Sequence, residues 1–200
     1  MRRIVRVALS EQTARYLIAK QGTVEAGTDT ERLWKQQRRS ASMRPVVAAL
    51  RSMAGVRERC MYCEDSRGTD IDHFWPRTSY RDRLFLWPNL IWACSGCNRC
   101  KAKSFPLDEH GEPLLIDPTS EDPWDYLFYD GQTHEITPRW DPATGRENPK
   151  AEGTLAALPT LRFQAVSEGR GRTQRTLRRA VTSFLESKVE SEAEALAVPG

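Results

Sequence analysis

Two Cys-x-x-Cys pairs, Cys60 with Cys63 and Cys94 with Cys97, stand thirty residues apart in a chain of 200. No other feature of the sequence limits the fold as much. One such pair is compatible with redox chemistry, but two at this separation read as a single structural zinc site. Four thiolates form the soft tetrahedral set that zinc prefers, and the ion closes a long loop. The alternative is four buried thiols without metal. Cys97, not Cys100, completes a pair with Cys94, so the ligand set is Cys60, Cys63, Cys94 and Cys97. Five cysteines, four of them at metal spacing, fit a reducing compartment rather than a disulfide scaffold. The expected location is therefore cytoplasmic.

The polar residues between the pairs ask for a second explanation. Asp72 and His73 sit in an alternating run, 71–75, that reads as a short strand ended by Pro76. Residues 89–93 read as a second strand, entered through Pro88. Residues 97–103 read as the opening of a helix that carries Asn98 in its first turn. Strand, loop, strand and helix, stapled by zinc at both ends, would bring Asp72, His73 and Asn98 together. Two oxygen ligands beside a histidine suit a hard divalent ion, magnesium or manganese. The histidine is then free to take a proton from an attacking water.

These residues carry a resemblance. CxxC, then Asp-His-x-x-Pro, then Asn-Leu, then CxxCNxxK is the pattern of the HNH or ββα-metal nucleases with a four-cysteine zinc knuckle. It appears as Cys60 and Cys63, Asp72-His73 with Pro76, Asn89-Leu90, then Cys94 and Cys97 with Asn98 and Lys101. The resemblance implies an α+β fold: a zinc-stapled ββα-metal core with N-terminal helices and a C-terminal helical segment. It implies a metal-dependent endonuclease that hydrolyses DNA, with His73 as general base and Asp72 and Asn98 as ligands of Mg²⁺ or Mn²⁺. Asn89 would orient the His73 imidazole, and Lys101 would face the phosphate backbone. Arg77, Arg81 and Arg83, in the loop between the strands, would hold that backbone with their guanidinium forks, and Lys103 would join them.

A looser resemblance extends past the knuckle. The opening Met-Arg-Arg-Ile, Lys103-Ser-Phe-Pro-Leu and the segment 113–123 are similar to HNH nuclease subunits of Septu-type and retron-linked anti-phage loci. It implies an ATPase partner encoded by the neighbouring gene. The competing function is a non-catalytic zinc-knuckle subunit that binds nucleic acid or a partner. Such a subunit would not need Asp72, His73 and Asn98 together.

Charge divides the chain into four stretches. Residues 1–60 carry +8, 61–103 carry +2, 104–160 carry −9 and 161–200 carry +2, within a net charge of +3. A basic front and knuckle suit a polyanion; the acidic stretch must face elsewhere. The expected organisation is a basic helical region (1–56), the knuckle core (57–104), an acidic loop and short-strand region (105–160), and a C-terminal helix and tail (161–200). In the first region, Ser10 reads as a helix cap, residues 31–42 as a helix, and Pro45 as the first turn of another ending at Gly55. Asp130-Gly131 is a hairpin turn signal. Thr173, Leu177, Val181, Phe184 and Leu185 recur at helical spacing, with arginines opposite. No apolar run is long enough to cross a bilayer, and no secretory signal is expected, because Glu11 and Gln12 interrupt the start.

Overall fold

The computed structural model describes residues 1–25, 27–102 and 104–196, with side chains to 188. It is α+β: six α-helices and three two-stranded antiparallel sheets among the described residues. Helix α1 (Glu11–Gln21) starts where the Ser10 hydroxyl accepts from the Thr13 amide, 3.3 Å away. Helix α2 (Thr30–Gln37) is capped by Asp29 and ends at Gln37, five residues short of the end read from sequence. Helix α3 (Arg44–Met53) carries Pro45 in its first turn, where no amide donor is needed. It ends at Gly55, whose positive φ of 82° suits a residue without a Cβ.

The knuckle follows. Strand β1 (Asp70–His73) pairs with β2 (Leu90–Ala93), His73 opposite Leu90 and Asp70 opposite Ala93. Helix α4 (Ser95–Lys101) starts directly after β2 and packs on β1. The Asp130-Gly131 turn joins β3 (Leu127–Tyr129) to β4 (Ile136–Pro138). A small hairpin of β5 (Trp140–Asp141) and β6 (Arg146–Glu147) leads to helix α5 (Pro149–Ala157).

One apolar core draws on all four stretches of the chain. It runs from Met1 and Ile4 through Val46 and Leu50, the knuckle residues Tyr62, Phe85 and Leu90, then Leu115 and Ile116, to Leu161. Helix α6 (Gln164–Leu196) joins it only at its beginning. Val166 and Ser167 are buried, and the Arg170 guanidinium donates to the Leu161 and His134 carbonyls. Beyond that point Leu177, Val181, Phe184 and Leu185 are exposed.

The first residues form neither a strand nor a free arm. Ile4 donates its amide to Pro118 O, and the Arg6 guanidinium donates to the carbonyls of Trp87, Pro88 and Leu90 and to Thr119 Oγ1. It also lies over the Trp87 ring, 5.0 Å from the centroid. Arg6 thus fastens the entrance of β2 to the segment after the knuckle. Removing it strands carbonyls that are partly buried, at about 1–3 kcal/mol for each group left unsatisfied. Arg6→Ala should therefore lower unfolding stability by roughly 2–4 kcal/mol in urea titration, with Arg6→Lys intermediate; a midpoint equal to wild type would show that water replaces the guanidinium at no cost.

Candidate active site

The two cysteine pairs reach each other because the chain reverses around the first and starts a helix at the second. Glu58 and Glu64 adopt positive φ on either side of the first pair, and Cys60 takes a hydrogen bond from the Glu64 amide. Met61 N donates to Trp92 O, which pins this turn to β2. Cys94 is the N-cap of α4, its sulfur accepting from the Cys97 amide at 3.4 Å. The ligand atoms of Cys60, Cys63, Cys94 and Cys97 all lie within 4.8 Å of one another, with Cys63 and Cys94 Sγ 4.0 Å apart. Tetrahedral zinc with bonds of about 2.3 Å needs sulfurs about 3.8 Å apart, so this donor set could hold a zinc ion. Thr160 Oγ1 stands 3.1 Å from Cys97 Sγ. Cys100, one turn on, is outside the cluster.

Without a cation the four thiols cannot all ionise. Hydrogen bonding to Cys60 draws Cys63 down to about 6 and Cys94 lower still, while Cys60 and Cys97 are pushed up by their bonds to Cys63 and Cys60 respectively. A dication removes that conflict.

Asp72 and His73 follow each other on β1 and face different surroundings. The Asp72 carboxylate is 6% exposed. Its Oδ2 accepts from the Tyr62 hydroxyl at 2.8 Å and from Lys101 Nζ at 3.1 Å. Burial, reinforced by Asp72, raises the Tyr62 phenol well above its ordinary pKa, so it remains the donor. Asp72 Oδ1 accepts no hydrogen bond among the described residues, and it is the oxygen that can take a metal.

His73 is 2% exposed, and its Nε2 lies 3.0 Å from Leu84 O. A carbonyl only accepts, so Nε2 carries the proton and Nδ1 the lone pair. Nδ1 is buried and has no partner. Burial first, then the nearby Arg77 and Lys101 charges, lowers His73 to about 3, against a rise from the Leu84 bond. The imidazole is thus a neutral base with an empty acceptor. Trp34 of α2 meets it edge-on, ring centroids 4.4 Å apart.

Asn98 lines a groove of about 480 Å³ between α2, β1 and α4, whose walls include Trp34, Asp70 and Arg77. Lys35, Arg38 and Arg99 bring its cations to four, against Glu31 and Asp70, and Arg38 pairs with Asp70 at 3.5 Å. Arg77 Nε is buried there without a partner. Four cations against two carboxylates make this groove fit for a polyanion, but Asp72 and His73 do not line it with Asn98.

Several placements differ from the sequence reading. Lys101 does not face a phosphate: it is 1% exposed and donates to His73 O at 2.6 Å as well as to Asp72, because a buried carboxylate needs a counter-charge. Asn89 does not touch the imidazole. Its amide accepts from Trp75 N and donates to Trp75 O and Arg83 O, clamping the loop that presents Leu84 O to His73. Arg83 stacks on Trp75 and lines a different cavity from Asn98. Arg81 O accepts from Gln21, which ties its loop to α1. Lys103 lies outside the described residues. Trp34 reads from sequence only as an inward residue of its helix, with no link to the site, and for Asp70 the alternation with Asp72 is the one signal available.

No family model matches the chain. In an alignment of 74 positions that covers 34% of its length, the chain is 31% identical to the Septu protein PtuB of Bacillus thuringiensis. It spans about a quarter (27%) of that protein.

Two outcomes follow from this geometry. Purified protein should contain about one equivalent of zinc, and Cys94→Ser should lose the metal together with the fold, because structural zinc contributes folding energy directly. Less than half an equivalent in folded, never-chelated protein would exclude the site. The second outcome concerns acid. The folded pKa of His73, about 3, lies below the unfolded value of about 6.5, so the unfolded chain binds the extra proton. The contribution is complete above pH 6.5 and is lost as the pH falls toward 3. Between pH 7 and pH 5, wild type should lose roughly 2 kcal/mol more than His73→Gln in urea titration; parallel losses would mean that His73 is not held neutral.

Proposed function

We propose that the chain is a metal-dependent endonuclease of the HNH type, cutting DNA as the effector of an anti-phage defence complex. The observation that carries this reading is the neutral His73, its Nδ1 lone pair unused, held next to Asp72 on β1 and covered by Trp34, which itself lines the basic groove that contains Asn98. The two-stranded sheet and following helix, tied at both ends by the cysteine cluster, support the ββα-metal core. Similarity to a Septu protein supports the defence role, and an ATPase partner is proposed on the sequence resemblance alone.

Each residue then has a task. Asp72 Oδ1 and the Asn98 side-chain oxygen would hold Mg²⁺ or Mn²⁺. The ion, when bound, supplies charge stabilisation at the phosphate and the departing 3′-oxygen. His73 Nδ1 takes the proton of the attacking water, while Leu84 O keeps Nε2–H in place and so fixes which nitrogen is the base. Asn89 fixes the carbonyl that does this. Lys35, Arg38, Arg77 and Arg99 bind the backbone electrostatically, without reading sequence. Trp34 keeps His73 out of the groove in this structure, which fits a nuclease restrained until substrate or partner shifts α2. The same burial of His73 is what favours the competing reading, a nucleic-acid-binding subunit without catalysis.

A plasmid-cleavage assay with the presumed ATPase present decides between them. His73→Ala should abolish cutting while zinc content and DNA binding persist, since a positioned base is worth roughly a hundred- to ten-thousandfold in rate. Asp72→Asn and Asn98→Ala should first raise the Mg²⁺ or Mn²⁺ requirement. Cutting by His73→Ala at the wild-type rate would sink the mechanism.

A further inference from the structure

The phenol of Tyr62 and the ammonium of Lys101 converge on one oxygen of one carboxylate. Tyr62 is the residue between the cysteines of the first pair, so its backbone belongs to the cysteine turn. Its side chain is fully buried and ends 2.8 Å from Asp72 Oδ2. Lys101 approaches the same oxygen from the last turn of α4 at 3.1 Å. Its remaining contacts are His73 O at 2.6 Å and the face of Phe105, 5.6 Å from the ring centroid. A carboxylate with one oxygen gripped from two sides cannot rotate, and its other oxygen keeps a fixed direction. No other described carboxylate in the knuckle is held by two buried donors.

We propose that Tyr62 and Lys101 are positioning residues for the divalent ion, and that Tyr62 couples the cysteine cluster to it. This rests on the nuclease reading above. The two donors hold Oδ2 so that Oδ1 meets the ion in one geometry. The cluster fixes the turn that carries Tyr62, so the order of the cysteine turn is transmitted to Asp72 through a single hydrogen bond. Lys101 also donates to the carbonyl of His73, so ligand and base share one anchor.

The decisive variant is Tyr62→Phe, which deletes the hydroxyl and keeps the ring in the core. Partners of metal ligands typically contribute 10–100-fold in metal affinity. The full-length, zinc-loaded variant should therefore bind Mn²⁺ about tenfold more weakly by electron paramagnetic resonance. Its zinc content should stay at the wild-type value, its melting temperature should fall by only the few degrees that one buried hydrogen bond costs, and excess Mn²⁺ should restore turnover without changing the KM for DNA. A purely structural hydroxyl would lower stability and leave the Mn²⁺ affinity alone.

A second measurement avoids the substitution. With 3-fluorotyrosine at position 62, Mg²⁺ should shift the ¹⁹F resonance, and Asp72→Asn should abolish the shift. Wild-type Mn²⁺ affinity in folded Tyr62→Phe, or a ¹⁹F signal blind to Mg²⁺, overturns the coupling. If Asp72→Asn itself binds Mn²⁺ like wild type, the fault lies with the nuclease reading, and the coupling falls with it.

Discussion

Four sulfur atoms gathered within 4.8 Å set the turn after α3 against the first turn of α4, and a zinc ion held there would tie the two together. The sheet between them has two strands of four residues each, and a hairpin of that size is marginal in water by itself. Its own loop is long, running from Phe74 to Asn89, and is held by side chains rather than by a tight turn. Closing the ends of such a segment removes entropy that packing alone would have to offset. Asp72, His73 and Asn98 lie inside the closed segment or just past its last ligand. Whatever they do depends on that closure.

The rest of the chain supplies walls to this small unit. Arg6 binds the carbonyls at the entrance of β2, Gln21 of α1 holds both Arg81 O and the Phe85 amide, and Trp34 of α2 covers the imidazole. Arg2 and the terminal ammonium meet Glu64, the residue directly after Cys63. The basic front is therefore not all free surface charge. Some of its cations are structural, satisfied by carbonyls and carboxylates of the knuckle.

Local chemistry was legible and long-range packing was not. The cysteine spacing, the Ser10 cap, Pro45 in its helix and the Asp130-Gly131 turn can each be read from a few neighbouring residues, because the physics acts over a few residues. Trp34 against His73 joins two elements with no common pattern in sequence. Lys101 shows the reverse difficulty. A lysine on a short exposed-looking helix reads as a surface cation, and only the approach of β1 to α4 turns it into the partner of a buried aspartate. Asn89 reads from sequence as a direct partner of the imidazole, whereas its side chain binds the backbone of Trp75 and Arg83 in the loop that presents Leu84 O to His73.

Helix α6 leaves the core at Arg170 and continues to Leu196. At 1.5 Å per residue that makes a rod of about 39 Å beyond its last firm anchorage. Such a rod is a lever. A tilt of about 10° at Arg170 would carry the far end through roughly 7 Å, while the apolar contacts at Val166 changed by far less. The fulcrum rests on Leu161 and His134, and Thr160, one residue before Leu161, touches the sulfur of Cys97. Mechanically, the cysteine cluster and the fulcrum of this rod are only a few bonds apart.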